Sequence, residues 1–238
     1  MTAPHRHFHD ELSDMKVRLL TMSGEAEAAL RLAVEAYLER SVDKAQRVID
    51  GDQAIDALEI EIEEKCISLL ALQQPMAKDL RMLTAALKIS NDLERVGDHA
   101  VNIAESAIRL KQFRPITPEP ELIEMGRLAR EMLSDALEAF IREDTKSARE
   151  ICLRDDKVDA LQHSAFRIML THMMEDPQTI GAGVQTFIVT RNLERVADLA
   201  TNIAEDVVFL VEGKSIKHHA EDRGDSLTPS TEPTPSSS

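Results

Sequence analysis

The chain repeats itself, and that repeat limits the possible folds more than any other feature. Residues 92–105 read DLERVGDHAVNIAE and residues 192–205 read NLERVADLATNIAE; ten of the fourteen positions are identical at an offset of 100. Upstream, LRLAVEAYL (Leu30 to Leu38) aligns with LSDALEAFI (Leu133 to Ile141) at an offset of 103. Asp52, Ile55 and Asp56 fall on Asp155, Val158 and Asp159 at that same offset. The three-residue difference has to be absorbed between the second and third segments of each copy, where a loop belongs. One supersecondary unit used twice is the reading such self-similarity supports.

Within each copy the hydrophobic period is helical. Leu12, Met15, Leu19, Met22, Ala26, Ala29, Ala33 and Ala36 keep a 3-4 spacing, the seam of a bundle helix ending near Arg40. Val48, Ile55, Leu58, Ile62 and Leu69 form a second stripe that stops near Gln74, because a residue before proline avoids the helical region. A third runs through Leu93, Val96, Ala100, Ile103, Ala107 and Leu110. Arg114-Pro-Ile-Thr-Pro-Glu-Pro120 then breaks any helix and the programme restarts. The expectation is an all-α fold of two tandem three-helix bundles, six helices in left-handed antiparallel packing, spectrin-like in outline. Its bounds are 1–113 for the first unit, 114–120 for the linker, 121–213 for the second unit, and 214–238 for a disordered Ser/Pro/Thr tail.

Composition agrees with helix-on-helix packing. Aromatics make up only 3% of the chain, with no Trp, so Ala, Leu, Ile, Val and Met fill the core. Met173-Met174 reads as core filler. The net charge of −15 repels phosphate backbones and anionic lipid, which argues against nucleic-acid binding and favours cations, metals or basic surfaces. Cys66 and Cys152 sit in helical patterns and read as core thiols in a reducing compartment. The first residues lack a signal-peptide pattern, and no apolar run reaches the ~20 residues of a membrane helix, so a soluble cytoplasmic protein without membrane insertion is expected.

The chemistry-bearing pattern is acidic. On a helical wheel Glu94, Asp98, Asn102 and Glu105 stack opposite the third apolar stripe, and Glu194, Asp198, Asn202 and Glu205 repeat the row. Asp52 and Asp56 stack on the second helix with Glu59 and Glu63 beyond; Asp155 and Asp159 do so on the fifth, with His163 one turn on. Like charges at i,i+4 cost a helix ~0.2–0.5 kcal/mol per pair. If facing helices bring their pairs together, four carboxylates share a patch, and a cation relieves their repulsion. Carboxylate oxygens suit divalent or trivalent ions such as Mg, Ca, Mn or Fe, with Zn a further candidate, singly or in clusters. A solvated charged face is the bland alternative, with Arg95 and Arg195 pairing to the Asp at i+3. Recurrence on two helices in each of two units favours the metal. His5, His7 and His9 could chelate, although a frayed terminus explains them as well. The chain holds no Gly-rich phosphate loop, no nucleophile elbow, no H-E-x-x-H and no E-x-x-H, so no catalytic residue is assigned.

The opening Phe8-His-Asp-Glu-Leu12, Met22-Ser-Gly24, Asp52-x-x-Ile-Asp56 and the two L-E-R-V-x-D-x-x-x-N-I-A-E blocks together resemble the PhoU family, over about Phe8 to Glu212. The resemblance implies two tandem three-helix bundles with surface metal clusters on E/D-x-x-x-D motifs, here Asp52/Asp56 with Glu94/Asp98 and Asp155/Asp159 with Glu194/Asp198. It implies a cytoplasmic, non-enzymatic negative regulator of phosphate uptake and phosphate-starvation signalling. Its partners would be a sensor histidine kinase and the phosphate ABC transporter, and it would form a homodimer. Gln162 stands where the first unit has Glu59, so the two sites are expected to differ in ligand count. A carboxylate-bridged metal-dependent enzyme (hydrolase or redox) and a metal-free helical scaffold are the competing readings.

Overall fold

The structure, a computed structural model, describes residues 3–216. The side chains of His5, His7 and His9 and the chain beyond residue 216 lie outside the described residues. Among the described residues there are helices and no strand.

Several helix ends are set by local chemistry. α1 (Ala3–Glu39) stops at Arg40, which takes a left-handed φ of 54°. The Arg40 guanidinium donates to the carbonyls of Leu110 and Phe113, satisfying the last turn of a neighbouring helix. Ser41 caps α2 (Val42–Gln73) by accepting from the Lys44 amide at 3.3 Å. α2 ends on a left-handed Gln74 directly before Pro75. α3 (Lys78–Arg109) tightens into a 3-10 turn at Leu110–Gln112. α4 (Pro120–Arg142) starts on Pro120, which therefore belongs to the first helical turn rather than to the linker. Asp144 caps α5 (Thr145–Cys152) through the amides of Lys146 and Ser147. α6 (Asp155–Glu175) follows, then a 3-10 turn at Pro177–Thr179 capped by Asp176, and α7 (Ile180–Glu212). Gly213 ends α7 at φ 71°, where a side chain would strain the backbone.

The fold is all-helical, with one departure from the expected six helices. The fifth is two segments, α5 and α6. At Leu153-Arg154 the hydrogen bonds contract to i→i+3 (Arg154 N to Ile151 O, Lys157 N to Arg154 O) while the backbone stays right-handed. Arg154 there reaches Asp135 on α4 at 2.5 Å, and Leu153 is left almost bare to solvent. The three residues by which the offset falls from 103 to 100 are extra in the first unit, between α2 and α3; the second unit is shorter between α6 and α7, where α7 is preceded by its 3-10 turn.

α1, α2 and α3 pack on one another, as do α4, α5, α6 and α7, and the two groups meet chiefly along α3 and α7. Met15, Leu19, Met22, Ala26, Leu30 and Ala33 on α1 are fully buried, as are Leu93, Val96, Ala100 and Ile103 on α3 and Leu193, Val196, Ala200 and Ile203 on α7. Each large one contributes about 1.5–3 kcal/mol of burial. One contiguous core runs through both groups. α3 and α7 are antiparallel: Arg81 Nε donates to Leu210 O at 2.9 Å, while His99, eighteen residues later on α3, meets Asn192 at 2.8 Å. Lys88 pairs with the buried Asp206 at 3.1 Å, and the buried Tyr37 hydroxyl donates to Thr186 at 2.7 Å. No helix among the described residues is long and apolar enough to cross a membrane. Burial pushes both cysteine thiols up to about 11, so neither is a ready nucleophile. Met174 is not core filler: it is 78% exposed.

Candidate metal centres

The two acidic quartets each assemble across a helix pair. In the first unit, α2 carries Asp52 and Asp56 one turn apart, and α3 runs against it in the opposite sense, carrying Glu94 and Asp98. Gly97 lets the helices close. A Cβ there would stand 2.8 Å from Asp52 Oδ1 and 3.1 Å from Ile55 Cδ1. The Asp52 carboxylate therefore lies against the α3 backbone rather than in open solvent. Burial raises the Asp52 carboxyl above the usual range, and the charges of Asp56 and Asp98 raise it further. Glu94 is raised by burial and then by Asp98, Glu59, Asp56 and Asp52. The quartet thus shares one electrostatic patch, and Glu59 belongs to it.

In the second unit the carboxylates sit deeper. Asp155, in the first turn of α6, is pushed up to about 6, by burial first and then by Asp198, Asp159, Asp156 and Glu194. Asp198 is raised by burial and Asp159, with Arg195 and Arg95 opposing. Glu194 is raised by burial, Asp198 and Asp159, against Arg195 and Arg191. Glu194 Oε2 is buried without a hydrogen-bond partner. The Arg195 guanidinium stands 3.8 Å from that oxygen, an ion pair without a hydrogen bond.

The outer members of the expected rows do not join these quartets. Glu105 pairs with Arg109 at 2.6 Å. Glu205 lies close enough to Cys152 on α5 to raise its thiol, and it is not among the charges that act on the quartet's raised carboxyls. Asn102 is exposed and Asn202 half-buried, both a turn beyond the aspartates. His163 is exposed on α6 beyond Asp159. Arg195 does pair with Asp198 at 3.4 Å, but Arg95 takes Asp92, at i−3, at 3.4 Å instead of Asp98. Arg95 also acts on Asp198 across the α3–α7 interface, and Arg195 on His99, so this pair of arginines lies between the two quartets. His99 is held neutral chiefly by burial, and its Nδ1–H donates to the Asn192 amide oxygen, whose nitrogen donates to Ile188 O. Nothing in the spacing announces that bond; its partner lies in the other repeat. Gly97 was visible as a lone glycine inside a helical pattern, a signal of close approach.

Among the described residues no three His, Cys, Asp or Glu side chains already form a coordination shell. The donor set nevertheless fits hard cations. Every quartet member is a carboxylate, two per helix on facing helices, with Asp52 laid against Gly97 and Glu194 Oε2 buried without a hydrogen bond.

A family model described as the PhoU domain matches residues 19–107 and 122–207, one match to each acidic quartet. The chain belongs to the PhoU family. It is 40% identical over 216 residues to the phosphate-specific transport system accessory protein PhoU homolog of Aquifex aeolicus (strain VF5), covering 90% of this chain and 98% of that one. It is 41% identical over 212 residues to the homolog of Caulobacter vibrioides (strain NA1000 / CB15N), covering 89% and 92%. The crystal structure of PhoU from Pseudomonas aeruginosa superposes with a TM-score of 0.84 at 37% identity, over 87% of this chain and all of that one. The phosphate transport system regulatory protein PhoU from Streptococcus pneumoniae gives 0.81 at 31%, over 87% and 98%. The Aquifex and Caulobacter relatives are named as accessory proteins and the Streptococcus pneumoniae protein as a regulatory protein.

Proposed function

We propose that this PhoU-family chain is a cytoplasmic, non-enzymatic regulator of phosphate-specific transport that holds metal ions at its two acidic quartets. In this reading it restrains phosphate uptake and phosphate-starvation signalling by linking a phosphate ABC transporter to a sensor histidine kinase, as a homodimer. The names of its relatives support the transport assignment. The observation that carries the metal assignment is convergence: the charges of Asp56 and Asp98 reach both Asp52 and Glu94 and raise their affinity for a proton, and the charge of Asp159 does the same to Asp155, Glu194 and Asp198. Groups that compete for a proton compete for a cation on the same grounds.

A bound divalent or trivalent ion would supply positive charge at each patch. The rest is the work of the chain. Gly97 lets Asp52 approach α3; the first turn of α6 aims Asp155 at Asp198; Arg95 and Arg195 limit the negative field between the sites. With both helices of a unit clamped, the outer faces of α2–α3 and α6–α7 would be presented in one fixed shape to a partner.

The test is genetic. Removing the protein is expected to switch on phosphate-starvation genes in rich phosphate, and the wild-type chain but not an Asp56→Ala/Asp98→Ala/Asp159→Ala/Asp198→Ala variant is expected to restore repression. An unchanged transcriptional response on removal overturns the regulatory reading. Restoration by the variant overturns the role of the quartets in it.

A further inference from the structure

The two units and their linker leave between them a cavity of about 310 Å³ that the regulatory reading does not use. It lies where the end of α1, the linker and the α6–α7 hairpin meet, and Leu38, Leu110, Ile116, Pro118, Met169 and Met173 supply its apolar walls. The linker is tied down at both ends. Arg40 donates to the Leu110 and Phe113 carbonyls before it, and Glu119 meets His172 at 3.3 Å after it. Mainly apolar pockets of ~300–1,000 Å³ where packed units meet are the usual seats of small molecules.

The repeat builds the matching place from core residues. At the repeat offsets Tyr37, Met169 and His172 correspond to Phe140, Cys66 and Leu69, and Gly183 and Thr186 to Leu83 and Ala86. Those five counterparts are all buried in the contiguous core. Met169, by contrast, is buried without joining that core. Where the first unit has the Leu83 side chain, Gly183 leaves room to the flexible Met173, whose sulfur would stand 2.9 Å from a Cβ there. A glycine inside a helix needs such a packing reason. Two hydroxyls and an imidazole also stand where the counterparts are purely apolar.

Hydrogen bonding and charge choose the ligand. Tyr37 and Thr186, which line the cavity, are 4% and 2% exposed. The phenol donates to Thr186 Oγ1 at 2.7 Å, and that hydroxyl donates to Ala182 O at 3.0 Å. Both hydrogens are taken, so the two oxygens can only accept, and a ligand has to bring the donor. The charged lining groups are already matched or in solvent. Arg40 serves two carbonyls, Glu119 faces His172, Asp176 caps Gln178 at 3.0 Å, and Glu175 is exposed. None is left to balance an ionic ligand, whose loss of hydration would go uncompensated.

We infer that this cavity binds a small, uncharged, mainly apolar molecule carrying one hydrogen-bond donor. An occupant touches α1, the linker, α6 and α7 at once and so couples the two units. The inference is independent of whether the quartets hold metal. It is tested by isothermal titration calorimetry of the full chain with para-propylphenol, beside para-propylanisole, para-propylbenzoate and para-propylbenzylammonium. The phenol is expected to bind saturably, about threefold or more tighter than the anisole, which lacks the donor. It is expected to exceed both charged analogues about tenfold or more. Gly183→Leu, which installs the first unit's residue, is expected to weaken the phenol about tenfold or more. Tyr37→Phe/Thr186→Val is expected to remove the phenol's advantage over the anisole. Thermal melts show whether each variant folds; should either fail to, the native chain's ranking of the four probes decides. No saturable binding of the phenol by the native chain, or a charged analogue bound as tightly, overturns the proposal. So does unchanged binding in Gly183→Leu, or a preference for the phenol that survives Tyr37→Phe/Thr186→Val.

Discussion

Single residues decide how closely the carboxylates are held. Gly97 is the sharpest case, since any Cβ there meets Asp52 Oδ1 and Ile55 Cδ1. Gly97→Val is expected to cost on the order of 1–3 kcal/mol by overpacking and to turn Asp52 away from the patch. Thermal unfolding checks the first effect and metal retention the second. Asp155 sets a pH signature. Its folded value of about 6 lies above the ordinary 3.8, so the unfolded chain gives up its proton first as pH rises. The metal-free protein therefore loses stability through this group between about pH 4 and 6, and the loss is complete above that window. Half-exposure and screening hold it to about 1 kcal/mol. Asp155→Asn is expected to flatten that part of the stability–pH curve; an unchanged slope would show that Asp155 is not the strained member. The neighbouring carboxyls shift in the same direction, so the titration belongs to the cluster.

At the scale of helices, most of the architecture was legible in the sequence. The 3-4 spacing placed α1 and α3, Pro75, Pro115 and Pro118 marked the breaks, and the offset change located the α6–α7 connection. The acid pairs on α2, α3, α6 and α7 were legible because i,i+4 spacing forces one face. What was not legible depends on tertiary partners. The break at Leu153-Arg154 contains neither Gly nor Pro; Arg95 turns to Asp92 rather than Asp98; and Met174 looks like core filler until the hairpin shows its outer side. The contacts joining the two bundles are also long-range. Tyr37→Phe removes a buried hydrogen bond between α1 and α7 and is expected to cost about 1 kcal/mol, read as a lower denaturant midpoint at constant slope. Burial pushes this phenol up to about 12, so it stays protonated throughout the accessible pH range.

At the scale of the molecule, duplication gives two quartets on one continuous core, separated by the Arg95 and Arg195 side chains. If cations bind there, they stabilise the folded chain by mass action, and chelation is expected to lower the melting temperature. The second quartet, with its more deeply seated aspartates, is expected to release its ion last. Elemental analysis of the native protein beside Asp56→Ala/Asp98→Ala, Asp159→Ala/Asp198→Ala and the fourfold variant tests this most directly. Each double variant should lose the metal of its own unit, and the fourfold variant should retain none. Equal metal in the native and fourfold proteins, or none in any of them, would contradict the assignment of the quartets as metal sites.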